Sequence, residues 1–347
     1  MNPETRTQTS RLQELDVLRG VAAVWVMFWH YCVHYSELTE SATSSTPNLH
    51  GLIPVSLFFL ISGFVILLTL NRTRSPMDFV VSRFSRLFPV YWVAVILTFS
   101  VLTFAPVPGR GTTLWQGVAN LTMLQPWLRV PYVDGVYWTL SVELSFYAIM
   151  LSFFRLGWLR RLELIAFPWM AAECGWRILA QHRSVSWIIE ISLLLKFAHL
   201  FFAGTVFYRA KTEGWTPLRY AVLAGSIATQ FFVHGPVAAA FLAGFFILFS
   251  ILVAERLSFI AVRPLVFLGA ISYSLYLIHQ NIGYAILTHS GLPHALGVLV
   301  AVTVAISLAT ALNRYVERPC QQAIRRFYSR PKATELKAVA PGQTDLA

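Results

Sequence analysis

The chain has 347 residues, of which 56% are hydrophobic and only 12% charged, with a formal net charge of +11 and a mean hydropathy of +0.60. An average soluble domain is about 45–50% apolar and about 25% charged, so too little charge is present to cover a water-soluble surface. That excludes a soluble globule and a disordered chain; three cysteines (Cys32, Cys174 and Cys320) are too few for a disulfide scaffold. What remains is an all-α, polytopic membrane protein.

A helix crossing the roughly 30 Å hydrocarbon layer needs about 20 mostly apolar residues. In chain order ten segments qualify, at about 17–35, 51–70, 87–105, 137–154, 162–180, 187–208, 217–233, 237–253, 265–287 and 295–313. The first is too aromatic, and preceded by too little basic charge, for a cleaved signal peptide, so it is read as a mature helix. No tandem repeat or separate soluble domain is visible. The longest connection, 106–136, holds Pro106, Pro108, Pro126 and Pro131, and its apolar stretch Leu114–Leu124 suits a short interfacial or re-entrant helix. The organisation is therefore a cytoplasmic segment 1–16, a transmembrane domain 17–319 and a cytoplasmic tail 320–347, polar and expected to be disordered.

Orientation follows from Lys and Arg. With both termini cytoplasmic, 22 of the 27 basic residues lie on that side, against Arg110, Arg129 and Arg183 opposite and Arg177 and Lys196 within spans. This obeys the positive-inside rule, and topogenic charge accounts for most of the +11 without a nucleic-acid partner.

Ionisable groups inside a bilayer are costly and each is a functional candidate. Arg19 and His30 are 11 residues apart, about three helical turns, and share one face of the first span. Arg19 also fits a snorkelling interfacial residue, and His30 a core imidazole; among Phe28, Trp29 and Tyr31, a neutral His30 would equally suit a general base. Arg83 and Arg86, three apart, form either a phosphate clamp or further topogenic charge. Glu143 opens the fourth span with nothing local to neutralise it, so its partner is expected from another helix, with Arg19 or His30 the economical choices. Glu173 and Arg177, four apart, are expected to satisfy one another; Glu190 and Lys196, six apart, share no face. Ser272, Tyr276 and His279 form a polar stripe that lines a cavity or stitches helices together. There is no GxSxG, no HExxH, no paired cysteines at zinc spacing and no GxxxxGK[ST] loop, so no metal or phosphate-loop chemistry is expected.

Six segments in order resemble the integral-membrane acyltransferase family 3, O-acyltransferases of carbohydrates and related acceptors. They are Glu14 to Ala23 followed by His30, Leu57 to Phe64, Arg83-Phe84-Ser85-Arg86 to Trp92, Trp138 to Tyr147, Gly269 to His279, and Glu317-Arg318-Pro319. The chain departs in having Leu144 where a second acid often follows the glutamate, in Ile53-Pro54-Val55-Ser56 where a glycine-rich approach is usual, and in carrying no fused esterase-like domain. The resemblance implies a bacterial inner-membrane enzyme with acyl-CoA, in the simplest case acetyl-CoA, as donor substrate and no permanently bound cofactor. The acceptor would be a hydroxyl of a carbohydrate or of another hydroxyl-bearing molecule. Arg83 and Arg86 would hold the donor's phosphates, His30 would act as base, and Arg19 and Glu143 would position base or donor, with Ser272, Tyr276 and His279 lining the cavity. Taken alone, intramembrane Arg, His and Glu would also suit a transporter or flippase.

Overall fold

The computed structural model describes residues 12–39, 49–183 and 186–328. Among the described residues every regular element is a helix. The first, α1, runs Gln13–Trp29 and continues through a π-helical turn, His30–His34, into Tyr35–Thr39. There follow α2 Leu49–Asn71, α3 Pro76–Phe104, the short α4 Leu114–Asn120 and α5 Gln125–Leu128, and α6 Trp138–Arg155, entered through a 3-10 turn Gly135–Tyr137. The second half contains α7 Leu162–His182, α8 Trp187–Ser192, α9 Ala198–Glu213, α10 Pro217–His234, α11 Pro236–Val253 and α12 Arg263–His289. It ends with α13 His294–Leu312, a π-helical turn Asn313–Glu317 and α14 Arg318–Tyr328.

Among the described residues six helical stretches are long and apolar enough to cross a bilayer: Gly51–Asn71, Pro76–Phe104, Gly135–Arg155, Pro236–Val253, Arg263–His289 and His294–Tyr328. The expectation of about ten spans is thus met only in part. The α-helical stretch of α1 has 17 residues and α9 has 16, while α7 carries Glu163, Glu173 and Arg177. The segment expected at 187–208 is not one helix: the chain breaks between α8 and α9, with Leu194 at φ +56°. The apolar stretch 114–124 does hold the short helix α4, which a Thr113–Gln116 capping box opens. The tail expected to be disordered from 320 holds α14 as far as Tyr328, whose hydroxyl reaches Asp78 Oδ1 at 2.9 Å; the rest of the tail lies outside the described residues.

Large apolar side chains point outward as well as inward. Ile96, Phe231, Ile247 and Leu299 are each more than half exposed, the reverse of a soluble surface and the pattern of helices in lipid. Inside, α1 packs chiefly on α12, and α2 on α9. Backbones meet where a side chain has no room: a Cβ on Gly269 would lie 2.3 Å from the Asp16 carbonyl oxygen, and one on Gly20 2.6 Å from the Gly269 nitrogen. Close small-residue crossings of this kind fix helix pairs in membranes. Here the crossing sets α1 against α12 in one register, with His30 beside His279 about three turns further along.

Candidate functional site

A π-turn inserts one extra residue into a helix and re-aims the side chains at the insertion, which is why such turns cluster at functional sites. The turn in α1 starts at His30. His30 is 6% exposed and its Nδ1 lies 2.9 Å from Nε2 of His279. The Nδ1 of His279 lies 2.9 Å from the Tyr276 carbonyl and 3.2 Å from that of Leu275. Carbonyl oxygens only accept, so the network assigns the proton of a neutral His279 to Nδ1 and leaves its Nε2 bare. His30 therefore donates its own Nδ1–H to His279, and its Nε2 keeps the free lone pair. That tautomer is the one a base needs. Tyr31 donates to the His279 carbonyl at 2.6 Å and clamps the same contact from α1.

The cavity on which His30 opens has a volume of about 260 Å³ and is also lined by Trp29, His34, Arg110, Trp138, Tyr276 and Gln280. Gln280 is 3% exposed, and its side-chain oxygen is buried without a hydrogen-bond partner. A second, narrower cavity of about 90 Å³ gathers Arg19, Arg83, Arg86 and Glu143 with Ser62, Tyr147, Ser272 and Tyr276. Val55 and Tyr276 line both cavities, so the two spaces adjoin there. At this boundary the Tyr276 and Thr139 hydroxyls are paired at 2.8 Å.

The structure thus brings Arg19, Arg83, Arg86, Glu143, Ser272 and Tyr276 around one space, places His30 on the next, and sets His279 behind His30 and outside both linings. The partners differ from those expected. Glu143 has neither Arg19 nor His30 within ion-pair distance; its Oε1 accepts from Ser62 Oγ at 2.7 Å and from the Tyr147 hydroxyl at 2.6 Å, with Arg19, Arg83 and Arg86 lining the same cavity. Arg19 instead faces Asp16 at 3.4 Å. Arg86 is bound to Glu317 at 2.5 Å, and the other Glu317 oxygen accepts from Ser274 Oγ at 2.8 Å and Asn313 Nδ2 at 3.0 Å. Arg83 has no carboxylate within ion-pair distance among the described residues; its terminal nitrogen reaches Thr69 Oγ1 at 3.4 Å and Ser82 Oγ at 3.2 Å, and its Nε is buried without a partner. A Ser75–Asp78 capping box and Pro76 start α3 just before these two arginines.

Elsewhere, Glu173 turns from Arg177 to His199, 2.7 Å away and wholly buried, with Gln230 on the far side of the ring at 2.6 Å. Glu190 and Lys196 meet at 2.7 Å because the break after α8 folds the chain back. Sequence reasoning also missed Arg110 and Gln280. Arg110 sits on an extracytoplasmic loop by charge count and reads there as an ordinary solvated cation; Gln280 adjoins His279 but falls off the i, i+4, i+7 stripe.

A family model described as an acyltransferase domain, that of acyltransferase family 3, matches residues 12–314. The chain is 30% identical over 172 residues to the acyltransferase MdmB of Streptomyces mycarofaciens, covering 47% of this chain and 43% of that protein. It is 28% identical over 206 residues to nodulation protein 10 of Rhizobium leguminosarum bv. viciae, covering 54% and 56%. It is 25% identical over 296 residues to the exopolysaccharide production protein ExoZ of Rhizobium meliloti (strain 1021), covering 78% and 89%. The match spans about half the length of the first two. No solved structure matches. The chain belongs to acyltransferase family 3.

Proposed function

We propose that the protein is a membrane-embedded O-acyltransferase that moves an acyl group, in the simplest case acetyl, from acyl-CoA to a hydroxyl of a carbohydrate such as a cell-surface or exopolysaccharide. Family membership and relatives named as an acyltransferase and an exopolysaccharide production protein support the class. The observation that carries the reading is the pair of adjoining cavities: three arginines in one, and the bare Nε2 of His30 at the other.

The donor's phosphates dock at Arg83, with Arg86 and Arg19 adding positive potential, and the pantetheine arm follows the narrow cavity past Tyr276. The thioester carbonyl then stands beside His30. His30 Nε2 takes the proton of the acceptor hydroxyl as its oxygen bonds to the carbonyl carbon. The nearby Arg110 guanidinium favours the negative oxygen that develops. Collapse of the tetrahedral intermediate breaks the C–S bond, and the His30 proton passes to the departing thiolate, leaving an ester and CoA. His279 holds the reactive tautomer throughout. The protein is placed in a bacterial inner membrane with both termini and the donor on the cytoplasmic side, a reading supported by the 22-to-3 division of basic residues.

The test is CoA release from acetyl-CoA by purified protein with a cell-envelope glycan fraction as acceptor. His30→Ala lowers transfer by about 10²–10⁴-fold, the usual loss on removing a general base. Transfer at the wild-type rate by a folded His30→Ala protein refutes the assignment, and a wild type that consumes no acetyl-CoA points to transport instead.

A further inference from the structure

Between the starts of α2 and α6, the second half of α7, α8 and the end of α10 lies a third cavity of about 460 Å³, within the roughly 300–1,000 Å³ of small-molecule sites. Leu52 and Trp138 line both this cavity and that of His30. None of the arginines or the glutamate assigned to the donor lines it. Three chambers therefore run in series, with His30 in the middle one.

The wall of the third chamber mixes aromatic faces with charge of both signs. The Trp138 ring lies 5.4 Å from that of Phe197, and His234 stacks on Phe197 at 5.6 Å. Trp176 donates its Nε1–H to Glu190 Oε2 at 3.1 Å, and Lys196 holds the other Glu190 oxygen at 2.7 Å. Arg177 also lines the space and makes no hydrogen bond or ion pair with any described residue. The same wall contains Leu194 in the left-handed region at φ +56°, a conformation that costs a non-glycine residue energy and is concentrated at functional sites.

We infer that this chamber holds the sugar unit carrying the hydroxyl that is acylated. The inference rests on the acyltransferase reading above and extends it to the acceptor. A pyranose ring has apolar C–H faces and a rim of hydroxyls. Indole and phenyl rings match the faces, while Glu190, Lys196 and the unpaired Arg177 match the rim. An alkyl chain would leave those charged groups desolvated with nothing in exchange. From here a hydroxyl reaches His30 past Trp138, opposite the side from which the thioester arrives.

The experiment uses the full chain in nanodiscs with acetyl-CoA, and methyl glycosides of a neutral hexose, a 6-deoxyhexose and a uronic acid as probes, following CoA release. At least one glycoside accelerates release saturably. Trp176→Ala raises its half-saturating concentration 10-fold or more, while that for acetyl-CoA moves less than twofold. Trp176→Phe, which keeps a ring and loses only the Glu190 bond, gives a smaller rise, and Glu190→Gln provides an independent second case. Trp158→Ala, on a surface away from the chamber, shifts neither constant. If no glycoside accelerates release, or if the Trp176 and Glu190 variants respond as wild type does, the inference is overturned. Acceleration by a straight-chain alcohol, lost in Trp176→Ala while glycosides stay inert, overturns it in favour of a lipid chain. A wild type that releases no CoA at all overturns the acyltransferase reading, and this inference falls with it.

Discussion

The two arginines of α3 look interchangeable in sequence, yet their surroundings predict different defects. Arg86 is tied to Glu317, whose side chain is 2% exposed, against 25% for Arg86. Removing one partner of a buried pair typically costs about 3–5 kcal/mol because the other charge is stranded. With Arg86 a quarter exposed, screening reduces this to about 2–3 kcal/mol for Arg86→Ala, a fall of roughly 3–4 °C in Tm for a chain of this length. Glu317→Gln on top of Arg86→Ala recovers much of that loss by removing the stranded charge. Arg83 has no such obligation: Arg83→Ala leaves Tm nearly unchanged and removes a charge-assisted contact worth about 1.5–3 kcal/mol, a weakening of acetyl-CoA binding by about 10–150-fold. Thermal unfolding in detergent and calorimetric titration with acetyl-CoA at low salt separate the two. An Arg86→Ala protein as stable as wild type, or an Arg83→Ala protein with unchanged donor affinity, refutes the division of labour.

His279→Ala removes the group that fixes the His30 tautomer without removing the base, so transfer falls by about 10²-fold with donor affinity retained; equal losses for His279→Ala and a conservative His279→Gln would fit simple packing instead. Gly269→Ala forces a methyl group against the Asp16 carbonyl and lowers stability by about 1–3 kcal/mol, read as a drop in Tm, with activity reduced as the two histidines shift. In a cysteine-free background on intact cells, Gly111→Cys reacts with a membrane-impermeant thiol reagent, and Arg74→Cys and Gly157→Cys do not; the inverse pattern reverses the orientation and removes the cytoplasmic route for the donor.

Sequence carried the positions of the candidate groups but not their pairings. Arg19, His30, Arg83, Arg86 and Glu143 could be picked out because each is an ionisable group in an apolar run, a local property. Their partners come from elsewhere in the chain: Glu317 from 231 residues beyond Arg86, His279 from 249 beyond His30, Ser62 from 81 before Glu143. The partner of Glu143 does come from another helix, but as the Ser62 hydroxyl, with Arg19 on the same cavity and beyond ion-pair distance. Glu173 was assigned to Arg177 by helical spacing, but a histidine on α9 offered a closer donor. Helices were legible from apolar runs over nearly the whole chain; the break after α8 was not, since the sequence stays apolar through a left-handed Leu194.

α12 touches nearly every part of the machinery. Gly269 presses on α1, Tyr273 and Ser274 brace the Arg86–Glu317 pair, Tyr276 borders both adjoining cavities, His279 pairs with His30, and Gln280 lines the His30 cavity. Every residue from Ile271 to Ala285 is buried, so a substitution there is expected to disturb packing and, on the proposed reading, donor handling and chemistry at once. The wall made by α7, α8 and the turn before α9 answers to none of those duties. Divergence among related proteins with different acceptors is therefore expected to concentrate in that wall, and exchanging residues 176–197 between two of them is the shortest route to moving acceptor preference while leaving the engine in place.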